Sequence, residues 1–487
     1  MGKVWGTPHP TGYPLLVVLS HYFVEWFPIG SVPWRANLLS AIFSAAAAVV
    51  VWRVLRLLMV SEPVAAASAL ALGCTPTLWS QSVVAEVYTL NLLFAVAVLY
   101  WFLRWHLTGS ESAFRWGTGL YALSFGHHLT AITLLPALVF ISWQTDRRAF
   151  WNPRKVSWAA LVIAIGALQY GYLYWRSVDP ATVYLESSVR NAHDLWQTVS
   201  GAGNRSHMFP FSPGQFVVER IPLFLSHLWS EFGVLLILAA AGLAFLRRRH
   251  TVLWFLVLFA LGPLTFALNY DIGDIPVYFI PVYMIVAVFL GLGSQWLCER
   301  FPRFPPLAMM AIPLVLGSWQ FADADCSQDR SVALRVEGRL EIAGRDAVVV
   351  AASRPQARFY QVYLLGEGWQ QKRRLFVASD VRAAIEYAAN QAPLEPPSQS
   401  ITVPAGLAVF SEARPRGHFW KRRGLRYVVI DGGNQTLYRW LRAGEDEARV
   451  AADLIARFLS PGSAYDASAH AIHLALPPSG GEVTYSQ

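Results

Sequence analysis

The residues able to carry chemistry fall in a few short stretches. They are His9 with Tyr13, then Arg35, then Glu86 with Tyr88 and Asn91, the His127-His128 pair, and Asp271 with Asp274. Arg190 and Arg205 add two cations between apolar runs. The chemistry on offer is proton exchange at carboxylates and imidazoles, and anion binding at guanidinium forks. Ionisable groups at or near hydrocarbon depth are costly and default to functional hypotheses. Each also has a plain structural alternative. Glu86 could pair with Arg35, the histidines could finish a helix, the aspartates could cap one, and the arginines could be ordinary loop charges. A metal site is not expected. Adjacent residues on a helix point about 100° apart, and a ligand set needs more members. The three cysteines, Cys74, Cys298 and Cys326, are too few and scattered for a disulfide framework or a metal site.

The elements that must position these residues are membrane helices. Only 14% of the chain is charged, against roughly 25% in soluble domains. Twenty tryptophans and nineteen tyrosines suit aromatic belts at two interfaces. A bilayer core of about 30 Å takes roughly 20 apolar residues per helix. About ten spans are expected, at 36–58, 63–79, 87–103, 115–127, 128–143, 156–175, 224–246, 251–268, 277–297 and 304–321. Thirteen Lys/Arg fall on one set of alternating loops, including Arg147, Arg148, Arg154, Lys155 and Arg247 to Arg249. The other set, residues 1–35 included, holds six. The positive-inside rule makes the arginine-rich loops cytoplasmic. The net charge of +8 therefore reads as topology and not as nucleic-acid binding. At 115–143 two short passes are preferred to one, because one pass would carry Arg147 to Lys155 to the outside. The first of the two is only about 20 Å long, so His127 and His128 would sit in a recess.

The remaining polar motifs then collect on the outer face. First comes a shaped loop, Gly6-Thr7-Pro8-His9-Pro10-Thr11-Gly12-Tyr13-Pro14-Leu15, whose prolines exclude a helix interior. Glu86 to Asn91, the histidine pair, the 176–223 loop and Asn269 to Tyr278 complete the set. The pattern is that of a cavity open to one side, since the cytoplasmic ends carry no matching set. From residue 322 the composition turns soluble, and a C-terminal α/β domain over 322–487 is expected on the same face. Strands are expected at Ala347–Ala352, Tyr360–Leu365, Arg374–Ala378, Leu407–Phe410 and Tyr427–Ile430. Helices are expected at Asp380–Gln391, Thr436–Ala443 and Glu445–Leu459. It shows no nucleotide fingerprint, nucleophile elbow or metal spacing.

Four motifs in order carry a resemblance: His9-Pro10-Thr11-Gly12-Tyr13-Pro14-Leu15, Trp34-Arg35-Ala36-Asn37-Leu38-Leu39-Ser40, Glu86-Val87-Tyr88-Thr89-Leu90-Asn91, and Tyr270-Asp271-Ile272-Gly273-Asp274-Ile275-Pro276-Val277-Tyr278. Together, over about residues 6–290, they resemble the protein O-mannosyltransferase-like family of GT-C integral-membrane glycosyltransferases. The resemblance implies a mainly α, polytopic GT-C-like domain over 1–321. It implies transfer of a sugar, a mannose, from a polyprenyl-phosphate donor to a protein hydroxyl or glycan acceptor on the outer or lumenal face. A carboxylate would act as general base, and cations or amides would hold the departing phosphate. By position Glu86 and His9 are the catalytic candidates. Tyr13, Arg35, Tyr88, Asn91, His127, His128, Arg190, Asp271 and Asp274 are the substrate-binding candidates, with Arg35 or Arg190 on the phosphate. A divalent metal requirement is not readable.

Two departures from the family pattern stand out. Thr11 replaces the second proline of the opening motif. The family's catalytic aspartate lies in a first outer loop upstream of that motif, which this chain does not contain. A longer native N-terminus is the expectation, with an incomplete copy or a takeover by Glu86 as alternatives. Two other functions compete: a transporter or flippase for a lipid-linked sugar, and a non-catalytic membrane scaffold. A transporter predicts internal repeats and discontinuous helices near the midplane, and no repeat is visible. Alanine- and arginine-rich composition favours a bacterial inner membrane with a periplasmic site over an endoplasmic reticulum membrane with a lumenal one.

Overall fold

The structure is a computed structural model of the chain. It describes residues 2–330 except 183 and 326, and beyond them only short helical and strand segments. Two units are separate by contact, Met1–Ser327 and Gln328–Gln487.

The first unit is helical. Among its described residues seven helices are long and apolar enough to cross a membrane: Val32–Leu57, Tyr88–Thr108, Pro153–Val178, Pro213–Arg248, His250–Leu268, Ile275–Arg300 and Pro306–Ala324. These seven correspond to seven of the ten expected spans, and the other three, 63–79, 115–127 and 128–143, fall on shorter helices. The expected 63–79 span is two helices, Glu62–Gly73 and Pro76–Ser82. Pro76 lacks the N–H that would continue the ladder and serves instead in the first turn of a new helix. The 115–143 stretch is also divided, into Glu111–Ser124 and an apolar run Leu129–Thr145 that opens as a 3-10 turn. The opening 35 residues, read as loop, contain a helix, Pro14–Trp26. Tyr13 enters it in the left-handed conformation with φ 39° and Pro14 takes its first turn. Thirteen residues span about 20 Å, too short to cross.

The helix ends follow local chemistry. Ser31 Oγ accepts from the Trp34 N–H at 3.3 Å, which starts Val32–Leu57. Asn152 Oδ1 accepts from the N–H groups of Arg154 and Lys155, starting Pro153–Leu168. Gly109, in left-handed geometry with φ 66°, ends Tyr88–Thr108.

The centre is Ile275–Arg300, whose apolar window is 83% buried. It packs against Leu236–Phe245, Glu62–Gly73 and His250–Leu268. A Cβ on Gly293 would lie 1.8 Å from the Leu238 carbonyl oxygen, and one on Gly242 1.9 Å from that of Phe289. The two backbones touch, the close approach that small residues permit between membrane helices. A second layer runs from Val32–Leu57 to Tyr88–Thr108, then Glu111–Ser124, then Pro153–Leu168, each packed on the next.

One ion cluster decides the path through 111–155. Lys155 Nζ is 2.8 Å from Glu111 Oε1 and 2.8 Å from Asp146 Oδ2. The start of Glu111–Ser124, the end of Leu135–Thr145 and the start of Pro153–Leu168 therefore share one face. An even number of passes joins residues 111 and 146, which keeps Arg115 with Arg147 to Lys155, as the charge pattern required.

In the second unit Val348–Ala351 pairs in parallel with both Arg374–Val377 and Leu407–Phe410. Tyr427–Asp431 pairs antiparallel with Thr436–Trp440, and His473–Ala475 with Thr484–Ser486. Two expectations fail here. Val362–Gly366 is a helical turn where a strand was expected. Thr436–Trp440 is a strand where a helix was expected, in keeping with its alternating Thr436, Tyr438 and Trp440. The helices expected at Asp380–Gln391 and Glu445–Leu459, and most of the expected α/β domain, lie outside the described residues.

Candidate active site

The opening loop is held against the segment that follows Gly171–Val178. Thr7 N–H donates to the Tyr184 carbonyl at 3.0 Å, and Glu186 N–H to that of Thr7 at 3.0 Å. Thr7 Oγ1 donates to the Ser187 carbonyl at 2.7 Å, and Ser187 Oγ to that of Pro8 at 2.6 Å. Tyr172 and Arg176 donate to the carbonyls of Gly6 and Trp5 at 3.1 and 2.8 Å. Gly12 sits at φ 107°, and a Cβ there would meet Leu173 Cδ1 at 2.5 Å. Glycine is required on both counts. At the loop's far end Leu15 N–H donates to the Gly126 carbonyl at 2.9 Å. The loop thus ties His9 and Tyr13 to His127 and His128.

Rings converge there. Tyr13 lies 5.2 Å from His9, 6.2 Å from His127 and 5.6 Å from His128, between ring centroids. His128 is also 6.3 Å from Tyr88 and 6.0 Å from Tyr278. Tyr278 is 5.4 Å from Tyr270, and Tyr88 Oη donates to Asp274 Oδ2 at 3.4 Å. Below the rings a small cavity is lined by Tyr88, Asn91, His128, Thr133, Phe266 and Tyr278, with other uncharged residues. It has room for about one or two water-sized groups.

Hydrogen bonds assign the histidine tautomers, because carbonyls only accept. His9 Nδ1 donates to the Pro10 carbonyl at 2.7 Å, which leaves Nε2 as the available ring nitrogen. His127 Nε2 donates to the Val87 carbonyl at 2.7 Å, so Nδ1 of that buried ring is an acceptor. His128 is reversed. Its Nδ1 accepts from Thr130 N–H at 3.3 Å and contacts Thr130 Oγ1 at 2.7 Å, so Nε2 carries the hydrogen. His127 Nδ1 and His128 Nε2 are both buried without a hydrogen-bond partner among the described residues.

The expected site residues divide. His9, Tyr13, Tyr88, Asn91, His127, His128 and Asp274 come together. Glu86 is exposed, and its charge reaches Tyr13. Burial pushes the Tyr13 phenol above its ordinary range, and the nearby Tyr270, Glu86 and Asp274 reinforce the shift. Asp271 is exposed, and its N–H donates to the His207 carbonyl at 2.9 Å. Arg35 departs from its expected phosphate role. Its guanidinium donates to the carbonyls of Val24 and Phe27, closing the end of Pro14–Trp26. Those carbonyls have no partner within their own helix, and a guanidinium fork supplies two donors at once. Arg190 is exposed beside the start of Ala192–Val199, its backbone N–H on Asp194 Oδ2 at 3.0 Å.

The sequence patterns did not single out four contributors. Tyr270 and Tyr278 stood in a quoted motif without being nominated. Arg220, counted as a loop charge, is buried and donates to the carbonyls of Leu268, Ala267 and Tyr270 at 3.0, 3.4 and 2.8 Å. It thereby holds the turn that carries Tyr270. Glu231, buried at 3% exposure, accepts from the N–H and hydroxyl of Thr77. A lone carboxylate inside an apolar run was the available signal. No group of three or more His, Cys, Asp or Glu able to hold a metal occurs among the described residues.

Residues 2–151 match the family model for the protein O-mannosyl-transferase TMEM260 N-terminal domain. The match covers less than a third of the chain. The TMEM260-type stretch contains the first three motifs and the histidine pair, while Tyr270 to Tyr278 lie beyond it. The protein O-mannosyl-transferase tmem260 of Dictyostelium discoideum is 20% identical over 342 residues, 60% of this chain and 40% of that protein. Mouse TMEM260 is 37% identical over 89 residues, 18% of this chain and 13% of that protein. The chain spans less than half the length of these curated relatives. A solved structure of ArnT from Cupriavidus metallidurans, bound to undecaprenyl phosphate, is similar at 15% identity with a TM-score of 0.45. It covers 82% of this chain and 72% of that one.

Proposed function

We propose that the chain is a membrane glycosyltransferase that moves a mannose from a polyprenyl-phosphate donor to a protein hydroxyl, on the face opposite the arginine-rich loops. One observation carries the reading. The opening loop, the Glu86–Asn91 motif and the histidine pair, all within residues 2–151, join Tyr270–Tyr278 in a single group of rings, imidazoles and a carboxylate beside a cavity. The activity named for the relatives supplies the reaction class. A lipid-borne donor also accounts for a site at the ends of membrane helices.

In the proposed reaction the acceptor hydroxyl attacks the anomeric carbon. The C–O bond to phosphate breaks, the phosphate leaves with the electron pair, and the hydroxyl proton passes to a base. Glu86 is the proposed base, with the free Nε2 lone pair of His9 as second candidate. Arg190 is the proposed cation for the leaving phosphate, because Arg35 is engaged by backbone carbonyls. The segment beyond Ser327 is the proposed accessory or acceptor-binding part. One observation favours the transporter alternative, the broken helix at Cys74-Thr75 beside buried Glu231. The collection of polar rings at one end favours transfer.

The test supplies mannosyl-phosphoryl-polyprenol and a serine/threonine-rich peptide to the full-length protein, with mass spectrometry of the peptide. A mannosylated peptide is expected. Donor binding without product, together with movement of the lipid across vesicles, would sink the transferase reading in favour of transport.

A further inference from the structure

Two adjacent buried imidazoles present opposite polarity without partners: His127 offers a lone pair at Nδ1, and His128 offers a hydrogen at Nε2. Their side chains belong to residues only 1% and 6% exposed. A buried polar atom left unsatisfied costs roughly 1–3 kcal/mol, so leaving one on each of two neighbouring rings needs a reason. Their ring centroids are 6.2 Å apart, both within 6.2 Å of Tyr13, a separation that one oxygen at ordinary hydrogen-bond distances can bridge. His128 also lines the small cavity, and none of the described residues lining it is charged.

These features restrict the ligand chemistry. A phosphate oxygen only accepts and would meet the His127 lone pair with repulsion. An ammonium only donates and would meet the His128 N–H. A hydroxyl does both, donating to one ring and accepting from the other. The cavity admits about one or two water-sized groups, which suits one hydroxyl of a ligand entering from the open side and not a whole sugar ring.

We infer that His127 and His128 form a subsite for a single hydroxyl group of an uncharged part of the substrate, separate from the place that holds phosphate. The hydroxyl comes either from the sugar of the lipid-linked donor or from the acceptor side chain. This inference rests on the transferase reading above.

The test measures binding of three probes to the full chain in nanodiscs: polyprenyl phosphate, mannosyl-phosphoryl-polyprenol and a serine-containing peptide. His128→Phe keeps a ring and removes the donor, while His128→Gln keeps an N–H near the Nε2 position. His127→Phe removes the acceptor from the other side. With a donor-sugar hydroxyl, both Phe variants weaken the mannosylated lipid about ten-fold, His128→Gln restores it, and the bare phosphate binds as before. With an acceptor hydroxyl, the peptide weakens instead and both lipids are unchanged. Unchanged binding of all three probes overturns the subsite. So does an equal loss for the bare phosphate, the mark of an anion site or of a misfolded variant. Wild-type protein that binds neither lipid overturns the transferase reading itself, and the subsite with it.

Discussion

Glu86 and His9 compete for one role, and their surroundings separate them. Glu86 is exposed with its charge reaching Tyr13, whereas His9 Nδ1 is tied to its neighbour's carbonyl and only Nε2 is available. General-base catalysis contributes typically 10²- to 10⁴-fold. Glu86→Gln should therefore lower mannose transfer by about 100-fold or more while the polyprenyl-phosphate lipid still binds. Full activity in that variant would remove Glu86 from the mechanism and leave His9→Gln as the next variant to assay. At this scale the candidate residues were readable, because proton carriers and rings are rare in apolar sequence. Their partners were not. That Arg35 closes a helix end and that the two histidines take opposite tautomers depend on which backbone groups the fold brings to them: the carbonyls of Val24 and Phe27 for Arg35, that of Val87 for His127 and the amide of Thr130 for His128.

Between elements, contact is set by glycine and by buried charge. Gly293→Val would force Ile280–Arg300 away from Leu236–Phe245, since even a Cβ falls 1.8 Å from a backbone oxygen. The expected result is a loss of several degrees or more in the thermal midpoint in detergent. Gly119→Ala, where nothing lies within 4 Å, should leave the midpoint unchanged or slightly raised, and an equal loss there would remove the packing explanation. Arg220→Ala leaves three carbonyls without their donor. Bonds from a charged group contribute about 1.5–3 kcal/mol each, so a clear destabilisation is expected, with Arg220→Lys intermediate because it lacks the fork. At the other face, the Lys155 ammonium donates to Asp146 and holds its carboxyl below the usual range. A depressed carboxyl stabilises above its unfolded value and ceases to as pH falls through its folded one. Thermal midpoints measured from pH 6 down to pH 3 should fall less steeply for Asp146→Asn than for wild type. Parallel curves would show the pair to be inert, as many exposed pairs are.

For the whole molecule, the orientation is the proposal with the most direct check. In a cysteine-free background, Asn204→Cys should react with an impermeant thiol reagent from outside intact cells, and Arg147→Cys only after permeabilisation. The reverse pattern would invert the topology and put the site on the cytoplasmic side. Composition and the arginine pattern determined by themselves that the chain is a polytopic membrane protein, with Arg115 and Arg147 to Lys155 on one face. Those are sums over many residues, which local sequence contains. Three of the four ordered motifs, with the histidine pair, likewise located the ring cluster. Tertiary structure alone divided the 63–79 stretch at Pro76, where the N–H of Thr77 finds the buried Glu231 carboxylate. It also decided that Pro14–Trp26 is helical, through the carbonyls that Arg35 closes. The relation of His9 and Tyr13 to His127 and His128 needed it too, since hydrogen bonds between residues more than a hundred positions apart leave no local mark.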